Sequence, residues 1–352
     1  MPDPPVTPAR AAALRERLTT WFRAEQRALP WRETRDPYRI WISEAMLQQT
    51  RVETVLGYYA RFVERLPTLV DLAEAEEETV LGLWSGLGYY SRARKLREAA
   101  QVLVAEHGGE FPRTREEALG LPGVGPYTAG AVLSIAYGLP EALVDGNVQR
   151  VLARLFGLDA AVGSTALTRE TWGLAEALVP EVGAGEWNQA LMELGATVCT
   201  ARSPGCEGCP VARGCVALES GRQEILPTAR PRRAPTEVEV EVALVRRGEA
   251  WLLEQRPEGG RMAGLWQLPT RELTGHGVFP AAWPEVATAA ALELQGEVGV
   301  LRHTITRYRI AARLHEARLV AGLPEGWRWI ESSELGELPL TGMARKVLQR
   351  RR

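Results

Sequence analysis

The chain has 352 residues, more than one ordinary domain and enough for two. Its composition, 45% hydrophobic and 24% charged, suits a chain that buries sizeable cores, and the net charge of −2 excludes neither nucleic-acid nor protein partners, because the local field decides rather than the total. No apolar run reaches the ~18 residues of a membrane span, and the polar, proline-rich residues 1–10 lack the apolar stretch of a secretory signal, so a cytoplasmic chain away from membranes is expected.

Helical periodicity dominates the first two thirds. Leu14, Leu18, Trp21 and Phe22 recur at helical spacing within residues 10–25. Asp36-Pro37 has the form of an N-cap followed by proline at the first helical position. The helix it starts carries Ile40, Trp41, Ala45 and Met46 and is expected to continue through Val52 to Val55. Further helices are expected over 76–83, 91–107, 114–119, 126–137, 148–156, 168–178 and 187–198, with no convincing strand among them. Past Gly221 the pattern changes. Residues 226–235 are rich in Pro and Arg and read as a linker. Residues 236–246 alternate polar and apolar, which predicts a strand; Gly248 marks a turn, and 250–255 a second strand. A helix is expected over 283–293 and a strand pair over 303–311 and 313–320. The reading is therefore a helical domain over 1–225, a linker over 226–235 and an α+β domain over 236–352, without internal repeats.

Two basic clusters stand out, Arg92, Arg94, Lys95 and Arg97, then Arg230, Arg232 and Arg233. Each suits either a solvated face or a nucleic-acid contact.

All four cysteines fall in one loop: Cys199, Cys206, Cys209 and Cys215. Four soft thiolates in one loop can enclose a metal centre, and Pro204, Gly205, Gly208 and Pro210 let the chain wrap around a compact object. Structural zinc usually has two short hooks, whereas this loop has one C-x-x-C and longer outer spacings, which favours a 4Fe-4S cluster over zinc. Two disulfides suit a cytoplasmic chain still less. A bracing role fits better than electron transfer, since no other motif suggests redox work.

Leu121-Pro-Gly123-Val124-Gly125 is followed by Pro126-Tyr127-Thr128-Ala129 and an apolar helix. Glycines let a backbone turn sharply and approach a ligand, and the helix start offers N–H groups and the positive end of a dipole. The pattern is that of a helix-hairpin-helix DNA-binding motif, which positions a phosphate backbone without reading sequence. An ordinary interhelical turn is the plainer alternative.

The order of this hairpin, an aspartate some twenty residues on (Asp145) and the four-cysteine loop resembles the endonuclease III superfamily of DNA glycosylases. Three segments, Trp41-Ile-Ser-Glu44-Ala-Met-Leu-Gln-Gln-Thr-Arg-Val, Gly86-Leu-Gly-Tyr-Tyr-Ser-Arg-Ala-Arg and Val144-Asp-Gly-Asn-Val-Gln-Arg-Val, resemble its MutY-type adenine glycosylases. The resemblance implies a mainly α, two-lobed helix-hairpin-helix glycosylase domain with an iron–sulfur loop. It implies a monomer that flips adenine from a mispair with 8-oxoguanine or guanine and leaves an abasic site in nucleoid DNA.

The resemblance also implies roles. Glu44 would protonate adenine at N7 and later activate water; an apolar setting would keep it protonated. Asp145, at a helix start that favours its ionised form, would face the oxocarbenium-like sugar. Taken alone, either is as easily a solvated carboxylate or an N-cap. Tyr127 stands where strand-cutting relatives carry a Schiff-base lysine, which points to base removal without strand cleavage. Asn147 would sit near Asp145 or the sugar. Arg27, Trp31, Leu47, Val52 and Gln189 resemble the adenine pocket, although Trp31 and Leu47 equally suit core packing. Gln48, Gln49 and Tyr89 resemble residues that fill or wedge the base stack, and Gly123, Val124 and Gly125 would contact the DNA backbone.

Met262-Ala-Gly-Leu-Trp-Gln-Leu-Pro269 resembles the Nudix-like C-terminal domains of the same family. Only Glu293 and Glu297 lie where a Nudix hydrolase gathers its magnesium-binding glutamates, so pyrophosphatase activity is not expected. The segment 303–308 matches the loop that reads 8-oxoguanine, with Ile305, Thr306 and Arg307 in place of Phe-Ser-His. Thr306 keeps a hydroxyl and Arg307 a donor. Two other readings remain at this point, a bifunctional pyrimidine glycosylase and a non-enzymatic DNA-binding relative.

Overall fold

The computed structural model describes residues 6–230, 234–257, 259–286 and 289–351. These divide into two compact units, 1–73 with 98–231 and 74–97 with 232–352. Arg232 and Arg233 of the second basic cluster lie outside the described residues. No described helix is long and apolar enough to cross a membrane.

The first unit is built from helices α1 (Pro8–Glu25), α2 (Pro37–Leu47), α3 (Val52–Arg65) and α4 (Leu69–Glu74), the last ending at the boundary between units. In the second unit lie α5 (Glu77–Trp84) and the first turns of α6 (Ser91–Glu106). The first unit resumes with α7 (Arg115–Gly120), α8 (Pro126–Tyr137), α9 (Gly146–Phe156), α10 (Thr165–Leu178), α11 (Ala184–Thr197) and α12 (Val216–Glu219). Local chemistry explains several starts. Asp36 caps α2 by accepting from the Tyr38 N–H at 2.9 Å, and Ser164 caps α10 through the Leu167 N–H at 3.2 Å. Thr114 caps α7 by accepting from the Glu117 N–H at 3.3 Å, and its hydroxyl donates to the Glu117 carboxylate at 2.6 Å.

Helix α8 is apolar on every side and forms the buried centre, with α2 and α11 packed against it. Helix α11 also packs on α9, and Gly195 permits this approach: a Cβ there would meet the Asn147 Cβ at 2.7 Å. The contact brings the last turn of α11 beside the start of α9.

One expected helix is two. The segment beginning at Pro37 stops at Leu47, turns through 48–51 and restarts at Val52. Gln49 adopts a φ of 59°, a left-handed conformation that no α-helix continues through, and the Thr50 N–H closes back on the Leu47 carbonyl at 3.2 Å.

The second unit contains β1 (Thr236–Leu244), β2 (Arg246–Arg247), β3 (Ala250–Gln255), β4 (Trp266–Gln267), β5 (Thr270–Glu272), β6 (Glu285–Val286), β7 (Ala289–Ala290), β8 (Leu292–Ile305), β9 (Tyr308–Leu319), β10 (Trp327–Glu331) and helix α13 (Gly342–Arg350). One sheet runs β5-β1-β9-β8, with β1 and β9 parallel; the other runs β10-β3-β2, with β4 on β3. Val238, Val240, Val242 and Leu244 point into the core shared with Leu253, Ile310 and Val347, the alternation that marked β1 in the sequence.

Two expectations here are corrected. No helix spans 283–293. Residues 285–286 and 289–290 pair as short strands, residues 287 and 288 lie outside the described residues, and Leu292 opens β8 opposite Leu319. Glu293 and Glu297 thus lie on a strand, and pairing with β9 overrides the helical preference of an Ala- and Leu-rich stretch. The expected strands 303–311 and 313–320 are likewise shifted. The reversal comes at Thr306 and Arg307, between paired Ile305 and Tyr308, and β9 runs unbroken through Ala312. Thr306 turns with a φ of 50°, where a glycine or asparagine would have announced the turn.

Candidate active site

Helix α2 carries Glu44 into the interior, where it is only 4% exposed. The Tyr127 hydroxyl, from the first turn of α8, donates to Glu44 Oε2. Burial pushes the Glu44 carboxyl up to about 7, against the lowering effect of the Tyr127 hydrogen bond, while Asp145 raises it further and Arg32 lowers it. A carboxyl near 7 keeps a large protonated fraction at neutral pH. Burial, then the charges of Glu44 and Asp145, pushes the Tyr127 phenol far above its usual range, so it remains a neutral donor.

Asp145 is the N-cap of α9. Its Oδ1 accepts from the Val148 N–H at 2.7 Å and its Oδ2 from the Asn147 side-chain amide at 3.2 Å. The expectation that a helix start would hold this carboxyl low needs correcting. Burial outweighs the helix amides, and the net shift is upward. Arg150 donates to Asn147 Oδ1 at 2.8 Å and to the Gly195 carbonyl at 2.7 Å, which steadies the amide that donates to Asp145.

These groups line a single cavity of about 380 Å³, within the usual range of ligand sites of about 300–1,000 Å³. Glu44, Tyr127, Asp145 and Asn147 share its wall with Arg27, Trp31, Leu47, Val52 and Gln189, and Gln48 and Gln49 stand at the break after α2. Trp31 also serves the core: it is buried and packs edge-on against Tyr59 at 5.2 Å. Gln189 donates to the Gly185 carbonyl at 3.2 Å, leaving its amide oxygen for other partners.

The same wall contains residues that sequence reasoning missed. Glu193 is buried and accepts from the Arg27 backbone N–H, from Arg27 Nε and Nη2, and from Arg32, which donates to Oε2 at 2.7 Å. Arg27 and Arg32 hold its carboxyl down near 2 against the opposing effect of burial. Arg27 is therefore a fixed wall of the cavity, held by α11. An isolated Glu on a helix gave no sign of this, because its partners lie over 160 positions earlier.

Other candidates are not among the residues that line the cavity. In the hairpin, Gly123 has a φ of 75° and Gly125 caps α8 without a side chain, so the first-turn amides of α8 face no capping group; Val124 is buried and can offer only its backbone. In the second unit Tyr89 has a φ of 49° and is 48% exposed. The basic cluster beside it is largely committed to protein. Arg92 donates to the Gly88 carbonyl at 3.0 Å and stacks on Trp84 and Tyr89, Arg94 pairs with Glu77, and Arg97 donates to the Ala75 carbonyl. Thr306 and Arg307 are exposed at the β8–β9 turn.

The four cysteines surround one small apolar hollow between α9 and the loop after α11. None is in a disulfide, and among the described residues no three such side chains are grouped closely enough to hold a single metal ion. Arg154, 3% exposed, donates to Cys199 Sγ at 3.3 Å and to the Thr200 carbonyl at 2.6 Å.

The model of the HhH-GPD superfamily of base excision DNA repair proteins matches residues 42–177, and a NUDIX domain matches 241–350. The human adenine DNA glycosylase is 36% identical over 97% of this chain and 74% of its own length. The chain belongs to the adenine DNA glycosylase family. The family's Schizosaccharomyces pombe member is 39% identical over 73% of this chain and 69% of its own. Among solved structures, a thermostable thymine-DNA glycosylase superposes with a TM-score of 0.54 at 33% identity, covering 60% of this chain and 97% of that one. Endonuclease III in a non-covalent DNA complex gives 0.52 at 25%, covering 61% and 98%. The protein is thus a DNA glycosylase of base excision repair.

Proposed function

We propose that this glycosylase hydrolyses the N-glycosidic bond of adenine paired with 8-oxoguanine or guanine and leaves an abasic site. The observation that carries the reading is the buried Glu44–Tyr127 pair facing Asp145 across one cavity. A neutral Glu44 can give its proton to the departing base, and the emptied carboxylate can then take one from water. Asp145 is placed to oppose developing sugar cation charge. Tyr127 orients the Glu44 proton by donating to one of its oxygens, and a phenol in that position forms no Schiff base. The chain acts as a monomer in the cytoplasm, with the hairpin amides on the DNA backbone, Gln48, Gln49 and Tyr89 at the emptied stack and the domain over 236–352 reading the opposite base at Thr306, with Arg307 beside it on the DNA. The test is single-turnover release from duplexes with adenine opposite 8-oxoguanine, guanine, cytosine and thymine. Release opposite the first two is expected; none from any duplex sinks the proposal.

The residues around the cysteine hollow fit a 4Fe-4S cluster: four soft donors surround one space, and the buried Arg154 sets a positive charge beside thiolates that such a cluster needs. Bound there, the cluster would brace the loop. Purified protein is expected to carry about four irons per chain, as this cluster type requires, and Cys209→Ser to lose them with a lower melting temperature. Stoichiometric zinc in place of iron would refute the assignment.

A further inference from the structure

Two arginines of the second unit converge on one phenol. Arg261 donates to the Tyr308 hydroxyl at 2.9 Å, and Arg307 donates to the same oxygen at 3.2 Å. Their guanidinium carbons stand 4.5 and 5.1 Å from the centroid of the Tyr308 ring. The ring is buried, while both arginines are exposed. Neighbouring arginines of the same sheet each have a carboxylate: Arg271 meets Glu241, Arg309 meets Glu237, Arg313 meets Glu239 and Arg318 meets Glu293. Among the described residues, the converging pair forms no such ion pair.

Holding two like charges against one hydroxyl is unfavourable until an anion joins them. The arrangement is nevertheless fixed from behind. Buried Arg256 donates to the Arg261 carbonyl at 2.7 Å, and the Thr236 N–H donates to the Arg307 carbonyl at 2.9 Å. The adjoining residues, Met262 at φ 54° and Thr306 at φ 50°, hold left-handed conformations that cost energy in non-glycine residues. Planar guanidinium groups match the oxygens of a phosphate in two-point contacts.

We propose that Arg261 and Arg307, seated on Tyr308, form a clamp for one phosphodiester group of duplex DNA. This rests on the reading of the chain as a glycosylase acting on duplex DNA, and it gives Arg307 a backbone partner in place of the opposite base. A phosphate contact acts equally on every sequence, whereas a base contact acts on one.

The test is fluorescence anisotropy on two labelled duplexes, one with adenine opposite 8-oxoguanine and one fully paired, between about 50 and about 200 mM salt. Arg261→Gln is expected to weaken both by the same factor and to make the slope of log affinity against log salt shallower by about 0.9. Over that fourfold salt range, wild-type affinity then falls about 3.5-fold more than the variant's. Arg261→Glu, which neutralises Arg307 as well, is expected to weaken both duplexes further with no larger change of slope, about 0.9 in all, because only one phosphate contact is at stake. Melting temperatures close to wild type would show that both variants fold. A variant slope equal to wild type overturns the clamp, as does a loss confined to the 8-oxoguanine duplex. Wild-type protein that binds neither duplex would overturn the DNA reading itself, and the clamp with it.

Discussion

Glu44→Gln is expected to abolish adenine release while leaving duplex binding intact. The amide keeps the shape of the carboxyl and can still accept from Tyr127, so the cavity retains its form. What it lacks is an acidic proton. General acid–base catalysis is worth about 10²–10⁴-fold, and Glu44 is assigned both the acid and the base step, so the loss should reach or exceed the upper figure. Near-normal release by the variant would disprove the role. In the wild type the Glu44 carboxyl is pushed up to about 7, so the rate should fall about tenfold per unit as pH rises above it. Stability has the same sign. Between the ordinary 4.5 and the folded value of about 7, the folded protein holds a proton that the unfolded chain has released. The stability from this group is full below about 4.5 and is lost as pH rises through 7, on the order of 3 kcal/mol in all. Glu44→Gln should therefore melt higher than wild type at pH 8 while being inert; equal melting there would argue against a buried ionising carboxyl.

Asp145→Asn is expected to slow release by about 10²–10³-fold, the usual cost of removing one preorganised charge-stabilising group. This substitution separates charge from structure. Asparagine caps helices as well as aspartate, so α9 should keep its first turn and the Val148 N–H its acceptor. Since the Asp145 charge helps to raise Glu44, its loss should also move the alkaline limb of the pH profile toward acid. A large loss of rate with unchanged melting and an acid-shifted limb is the expected combination. Full activity would reduce Asp145 to a helix cap.

Much of this fold could be read from local signals. Pro126 and Gly138 bracket α8, and Asp145 marks the start of α9. Residues brought to the cavity by distant elements could not be read in that way. Glu193 looks like any helical glutamate until α11 sets it under Arg27 and Arg32. The break at Gln49 and the turn at Thr306 lack glycine or asparagine, so no propensity announces them. Their left-handed backbones are imposed by the surrounding fold, and such strain gathers at functional sites. The grouping of 74–97 with the C-terminal sheets was equally hidden, because its contacts, such as the Trp266 indole donating to Glu78 at 2.8 Å, join segments almost two hundred positions apart.

Helix α9 links two places that chemistry would treat separately. Its cap is Asp145, and further along it Arg150 donates to the Cys199 carbonyl at 2.9 Å while Arg154 is fastened to Cys199 Sγ and to the Leu226 carbonyl. Eleven helical residues make a rigid rod about 16 Å long. The cap carboxylate and the cysteine loop are thus the two ends of one rigid element, and the loop fixes where α9 holds Asp145.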